Sequence, residues 1–133
     1  MHFVDTNIFI HYIFPNVDSR RYQACRTLFE RAESGEISLW TSEWVIAELV
    51  WFLYRKHKPW SEIKGFIVDG IIKGKQVKVS KEKVVLEIIE SSRNDSDFVD
   101  YMNKHILFRR GVNQGYSYDG DLDAWKGFKR LEP

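Results

Sequence analysis

The sequence predicts an α/β fold in which a short parallel sheet is covered by helices on both faces. Two observations carry this. Short apolar segments with strand character alternate along the whole chain with longer segments of helical periodicity, a pattern that favours parallel strands joined by helical crossovers. The 133 residues are also the size of one ordinary domain, with 44% apolar and 15% aromatic content to fill a core. No repeat, linker or low-complexity stretch divides residues 1–133, so one domain is expected.

The elements follow in order. Met1 to Val4 is a short buried strand ending at Asp5. Apolar residues continue from Ile8 to Phe14, until Pro15 and Asn16 break the segment. From Ser19 to Ala32, Tyr22, Cys25, Leu28 and Phe29 recur at helical spacing, and Gly35 closes the helix. Ile37 to Trp40 is a brief strand. Thr41 or Ser42 then caps a strongly apolar helix running towards His57, which Pro59 stops.

Ser61 is the expected cap of the next helix, whose face is Ile63, Phe66, Ile67 and Ile71 and whose end is Gly74. Val77 and Val79 alternate with lysines in a short strand. Ser80 caps a helix containing Val84, Val85, Ile88 and Ile89. A polar link, Ser91 to Ser96, leads into a final helix from Asp97 to Arg109. Tyr116 to Tyr118 is the last strand, and Asp119-Gly120 marks a turn.

Composition limits the function classes. Net charge is +1, so no basic surface announces a nucleic acid, although a local basic rim can hide inside a balanced total. The single cysteine, Cys25, allows no internal disulfide, and its spacing makes it a small buried hydrophobe. A reducing cytoplasm is the expected compartment. Neither a signal peptide nor a membrane span is expected, because Asp5 interrupts the hydrophobic run at the N-terminus.

In an open parallel sheet, ligands bind beyond the carboxyl ends of the strands, which draws attention to Asp5 and Asp119. Each alone has an ordinary explanation as a turn or cap residue. Glu48 is set among Trp44, Val45, Trp51 and Phe52 at helical reach, with no lysine or arginine there. If buried, an unpaired carboxylate would cost several kcal/mol or stay protonated, and a bound cation resolves that conflict. The alternative is a glutamate looking out of a cleft between aromatic rings.

Three aspartates follow in Asn94-Asp95-Ser96-Asp97-Phe98-Val99-Asp100. Asp95 or Ser96 can cap the helix there, and Asp97 suits its first turn. Asp100 has Lys104 four residues on as a partner, or a functional role. Carboxylates without a His or Cys cluster favour Mg²⁺ or Mn²⁺ over zinc. His2, His11, His57 and His105 have no metal-ligand spacing. An aspartate-nucleophile phosphatase would need a second aspartate where Asn7 stands.

Phe3-Val4-Asp5-Thr6-Asn7 resembles the opening strand of PIN domains, which runs into Asp-Thr-Asn. Phe98-Val99-Asp100 resembles the start of the family's helix bearing the third acid. Ser117-Tyr118-Asp119-Gly120-Asp121-Leu122 is similar to its Thr/Ser-Phe-Asp-x-Asp-Phe segment. Arg130-Leu131-Glu132-Pro133 resembles the tail of many prokaryotic members, and Glu48 in its apolar helix matches the second acid.

This resemblance implies a three-layer α/β/α sandwich whose acidic cleft holds Mg²⁺ or Mn²⁺ and hydrolyses RNA phosphodiesters. By the same resemblance Asp5, Glu48, Asp100 and Asp119 would be the metal ligands and catalytic acids, with Asp97 the rival of Asp100. Thr6 and Asn7 would orient Asp5 through hydrogen bonds, and Asp121 would stand behind the metal ligands. Arg55, Lys56, Lys58, Arg109 and Arg110 are candidates for the RNA backbone, against their ordinary role at solvated helix ends.

Small PIN domains of the VapC-like type also imply the toxin of a type II toxin–antitoxin pair, an antitoxin partner and a homodimer. Trp40, Trp44, Trp51 and Trp60 crowd the Glu48 helix with more aromatic surface than a small core readily hides. A catalytically silent PIN fold acting as a binding or scaffold module is the alternative.

Overall fold

The computed structural model describes all residues from Met1 to Pro133. They divide into two compact units, Met1–Phe98 and Val99–Pro133.

In the first unit β1 (His2–Phe3), β2 (Leu39–Thr41) and β3 (Val77–Val79) form a parallel sheet in the order β1-β2-β3. His2 lies opposite Leu39, and Leu39 opposite Val77. Parallel neighbours need a crossover long enough to return to the same end, which is why helices separate every strand here. The β1–β2 crossover holds α1 (Thr6–Ile13) and α2 (Ser19–Glu33). The β2–β3 crossover holds α3 (Glu43–Arg55) and α4 (Trp60–Gly65), and α4 runs on into a π-helical segment, Phe66–Ile72. α5 (Glu82–Ser91) follows β3, and α6 (Asp95–Arg109) runs across the boundary of the two units.

The mixed α/β class and the parallel pairing are as predicted. Most predicted apolar positions are in the core: Val4, Phe29, Leu39, Ile46, Leu49, Ile67, Val85 and Ile89 are buried. The strand expected to be buried from Met1 to Val4 is so only at Val4, Met1 and Phe3 being exposed. Val77 and Val79 face inwards while Lys78 is exposed, the period-two alternation of a strand. Cys25 is buried, and that burial pushes its thiol pKa up, in keeping with a packing role.

The helix starts differ in detail. Of the two residues proposed for α3, Ser42 is the cap, accepting the Val45 amide at 3.2 Å. Ser61 caps nothing: α4 starts one residue earlier, at Trp60, behind Pro59. Ser80 does not cap α5 either, because Lys81 occupies that position in the left-handed region at φ 51°. At α6 the cap is Asn94, whose side chain accepts the Asp97 amide at 2.8 Å, rather than Asp95 or Ser96.

Gly74 ends the π segment as expected, for a steric reason: a Cβ there would lie 2.3 Å from the Gly70 carbonyl oxygen.

The second unit holds most of α6, a strand β4 (Gln114–Tyr116), a 3₁₀ turn (Gly120–Ala124) and a strand β5 (Lys129–Leu131). The last predicted strand is thus displaced towards the N-terminus by two residues. It pairs in parallel with β5 in a sheet of its own, so the single sheet expected from the pattern is two. β5 carries no alternation of apolar and polar residues, which is why periodicity does not reveal it.

Candidate active site

The site begins where β1 ends. The Val4 amide bonds to the Trp40 carbonyl at 2.8 Å, and the Thr41 hydroxyl donates to the Val4 carbonyl at 2.9 Å. Thr41 is fully buried, so this bond satisfies the carbonyl of the residue that follows β1 away from water. The chain then turns at Asp5 into α1. Asp is among the best capping residues, and Asp5 occupies the cap position of α1, yet its side chain makes no capping bond. Its carboxylate is exposed and unspent at the strand's carboxyl end.

α3 brings Glu48 to the same place. The hydroxyl of Thr6, itself buried, donates to Glu48 Oε2 at 2.5 Å, a short charge-assisted bond between the first turn of α1 and the middle of α3. The expectation that Glu48 is buried among apolar neighbours is corrected here. Glu48 is exposed, and so are Trp44 and Trp51 on the same face of its helix. Other apolar positions of α3 turn inwards instead, with Ile46, Leu49 and Val50 wholly buried. A helix apolar nearly all round conceals which stripe faces water, so the alternative of a glutamate between aromatic rings is the observed one.

The role of Thr6 is corrected as well, because its hydroxyl orients Glu48 and not Asp5. Asn7 orients neither. It lies in a separate pocket of about 400 Å³ lined by Ile8, His11, Arg21, Ala24 and Cys25, and its side chain makes no hydrogen bond. In that pocket Arg21 Nη1 stands 3.2 Å from His11 Nε2.

The acid that is buried in this unit is Glu43, which the sequence pattern does not single out. Burial pushes its carboxyl pKa up, but the hydrogen bonds from Lys81, its own amide and Ser80 bring it down below the ordinary value. Lys81 Nζ lies 2.7 Å away. The left-handed backbone of Lys81 is therefore held by an ion pair at the start of α5. Glu43 could have been suspected from its place at the first turn of α3, beside the strand ends.

Asp97 belongs to the first unit and is spent on structure. Its Oδ2 accepts the Arg93 amide at 3.0 Å while its own amide bonds to Asn94, a reciprocal arrangement that closes the N-terminus of α6. In the second unit Asp100 is half-buried on α6. Asp119 is exposed and caps the 3₁₀ turn through the Asp121 amide at 2.9 Å. Asp121 is exposed in that turn, and Asp123 pairs with Arg130 at 2.9 Å.

Arg55, Lys56 and Lys58 do cluster at the C-terminal end of α3. They sit over the rings of Trp51, Phe52 and Phe14 at 5.5, 5.6 and 5.4 Å, and none has a carboxylate partner. Arg109 and Arg110 are exposed at the end of α6.

The model of the PIN domain family matches residues 2–102. The chain belongs to the PIN domain family. PIN domains are a nuclease-type fold, generally metal-dependent ribonucleases, so hydrolase chemistry is the family's ordinary activity. The match includes Asp5, Glu48, Asp97 and Asp100, and ends before Asp119. Comparisons with curated proteins and with solved structures found no match.

The PIN family usually employs Mg²⁺ or Mn²⁺. In the first unit the residues present fit such an ion. Asp5 and Glu48 are both exposed oxygen donors, and Asp5 has no competing partner. A six-coordinate ion of this kind needs only one or two protein carboxylates, keeping waters or substrate phosphate for the rest. No group of three or more His, Cys, Asp or Glu side chains forms a metal-holding cluster in the structure. No helix is long and apolar enough to cross a membrane.

Proposed function

We propose that this PIN domain is a Mg²⁺- or Mn²⁺-dependent endoribonuclease that hydrolyses RNA phosphodiesters. The observation that carries the reading is the junction of α1 and α3. There, an aspartate with no structural task stands next to a threonine whose buried hydroxyl fixes a second exposed carboxylate. Asp at a helix cap ordinarily accepts an amide of the first turn, and local rules are most often broken at functional sites.

Asp5 and Glu48 would hold the cation, with Asp100 and Asp119 as the further acids and Asp121 behind them. When bound, the ion lowers the pKa of water and stabilises the charge that develops on the phosphoryl oxygens. The protein's own part is geometric. Thr6 donates to one oxygen of Glu48 and so leaves the other directed, which fixes the orientation of the carboxylate before substrate arrives. Thr41 fixes the Val4 carbonyl and with it the point from which Asp5 projects. Arg55, Lys56 and Lys58 would meet the phosphates of the substrate.

The finer reading is a VapC-like toxin of a type II toxin–antitoxin pair, acting in the cytoplasm as a homodimer. An antitoxin would insert a segment into the acidic cleft. Support for it is the likeness of the Asp5 and Asp119 segments to PIN domains, a family whose small members are usually such toxins.

The decisive variant is Asp5→Asn, which keeps the shape of the side chain and removes its charge. It is expected to abolish Mg²⁺-supported RNA cleavage while circular dichroism and melting stay unchanged. Cleavage by this variant at the wild-type rate, or equal wild-type activity in chelator, rules the assignment out. Growth arrest on expression, relieved by a short neighbouring reading frame, tests the toxin reading separately.

A further inference from the structure

α3 presents one stripe to solvent in which aromatic and charged residues alternate. Trp44, Glu48, Trp51 and Arg55 follow one another at spacings of four, three and four residues, the spacing that keeps side chains on a single helical face. The two tryptophans are 59% and 50% exposed. Large rings left half in water over a hydrophobic core are uncommon, and here they flank the carboxylate that Thr6 holds. At about 1.5 Å per residue, the two rings leave α3 about 10 Å apart, with Glu48 between them.

Past Arg55, where α3 ends, the chain is basic, with Lys56 and Lys58 following. Arg55 lies over the Trp51 ring, Lys56 over Phe52 and Lys58 over Phe14, and cation–ring contacts, not ion pairs, hold the three. A polar groove of about 640 Å³, lined by Tyr54, Arg55, His57, Lys58, Asp95 and Ser96, continues from Arg55.

We infer that Trp44 and Trp51 are stacking platforms for two bases of a single-stranded RNA, one on each side of the phosphodiester presented to Glu48, with the backbone continuing along the Arg55–Lys58 groove. The inference rests on the proposed ribonuclease reading and deepens it by naming what holds the strand. Exposed rings interleaved with cations are the ordinary composition of a single-strand track, because every base has a face to stack and every nucleotide a charge to neutralise. The core of a protein–protein interface is also rich in tryptophan and arginine, but it is depleted in glutamate and lysine, and this face carries Glu48 at its centre with Lys56 and Lys58 beyond it. Base pairing would hide the bases from both rings, so the platforms also select unpaired RNA.

The test is binding of a fluorescent single-stranded oligouridine to the full chain in chelator, followed by anisotropy, so that cleavage plays no part. Trp44→Leu and Trp51→Leu are each expected to weaken binding by about tenfold to a hundredfold, the range of one lost stack. Trp44→Phe and Trp51→Phe keep a ring and are expected to bind within a few-fold of wild type. Melting curves of all four variants confirm folding, and a duplex of the same length is expected to bind more weakly than the single strand.

Leucine variants that bind the oligonucleotide as tightly as wild type overturn the inference. So does a leucine variant that leaves RNA binding intact but turns a dimer into a monomer by sedimentation, since the face would then belong to a second copy. If the wild-type chain binds the oligonucleotide through these rings yet never cleaves RNA, the ribonuclease reading fails and the platforms stand.

Discussion

Replacing Thr6 with valine tests the geometry of the site without touching a metal ligand. Valine puts a methyl group of similar size where the buried Thr6 carries its hydroxyl, so the space is filled and the change is in polarity: one hydrogen bond is lost. That hydroxyl donates to Glu48 Oε2 at 2.5 Å. A hydrogen bond to a charged group contributes about 1.5–3 kcal/mol. Little of this should appear as lost stability, because Glu48 is exposed and water can take the vacated position. A fold stability within about 1 kcal/mol of wild type is therefore expected.

The loss should appear in metal binding instead, since an unheld Glu48 must be ordered each time the ion arrives. About 1.5–3 kcal/mol corresponds to roughly tenfold to a hundredfold, the usual effect of losing a partner of a metal-binding carboxylate. The assay is the Mg²⁺ dependence of RNA cleavage for wild type, Thr6→Val and Thr6→Ser. The valine variant should need about tenfold to a hundredfold more Mg²⁺, and the serine variant, which keeps the hydroxyl, should recover most of it. If Thr6→Val shows the wild-type metal dependence, the hydrogen bond has no part in the site and the argument from orientation is refuted.

Two further variants separate structural acids from functional ones. Glu43→Gln should destabilise the fold by about 1.5–3 kcal/mol in chemical denaturation, because it removes the charge that Lys81 meets at the start of α5. The folded Glu43 carboxyl lies below its ordinary value of 4.5, so its contribution is present above that pH and is lost as pH falls through the lower folded value. The acid limb of the stability curve should accordingly be shallower in the glutamine variant, and an identical limb would remove Glu43 from the account. Asp97→Ala should cost about 1 kcal/mol of stability through the lost reciprocal cap and leave cleavage intact at saturating Mg²⁺. Loss of cleavage by the folded variant would return Asp97 to the list of catalytic acids.

What the sequence determines by itself is the α/β class, the order of most elements and most of the core. These rest on periodicity and on chain punctuation, both local properties. Asp5 is legible too, as the residue after a strand and the head of a recognisable segment. The orientation of Glu48 is not. Its helix is apolar on nearly every side, and only packing decides that Ile46, Leu49 and Val50 turn inwards while Trp44, Glu48 and Trp51 face out. The Thr6–Glu48 bond joins residues 42 apart in sequence, and Thr41 reaches back 37 to Val4. No local pattern encodes such a pair. Nor does one encode the Glu43–Lys81 ion pair, which exists because neighbouring strands deliver their helices to the same end of the sheet. Local chemistry chooses the elements, and the folded sheet alone chooses which carboxylates are free to act.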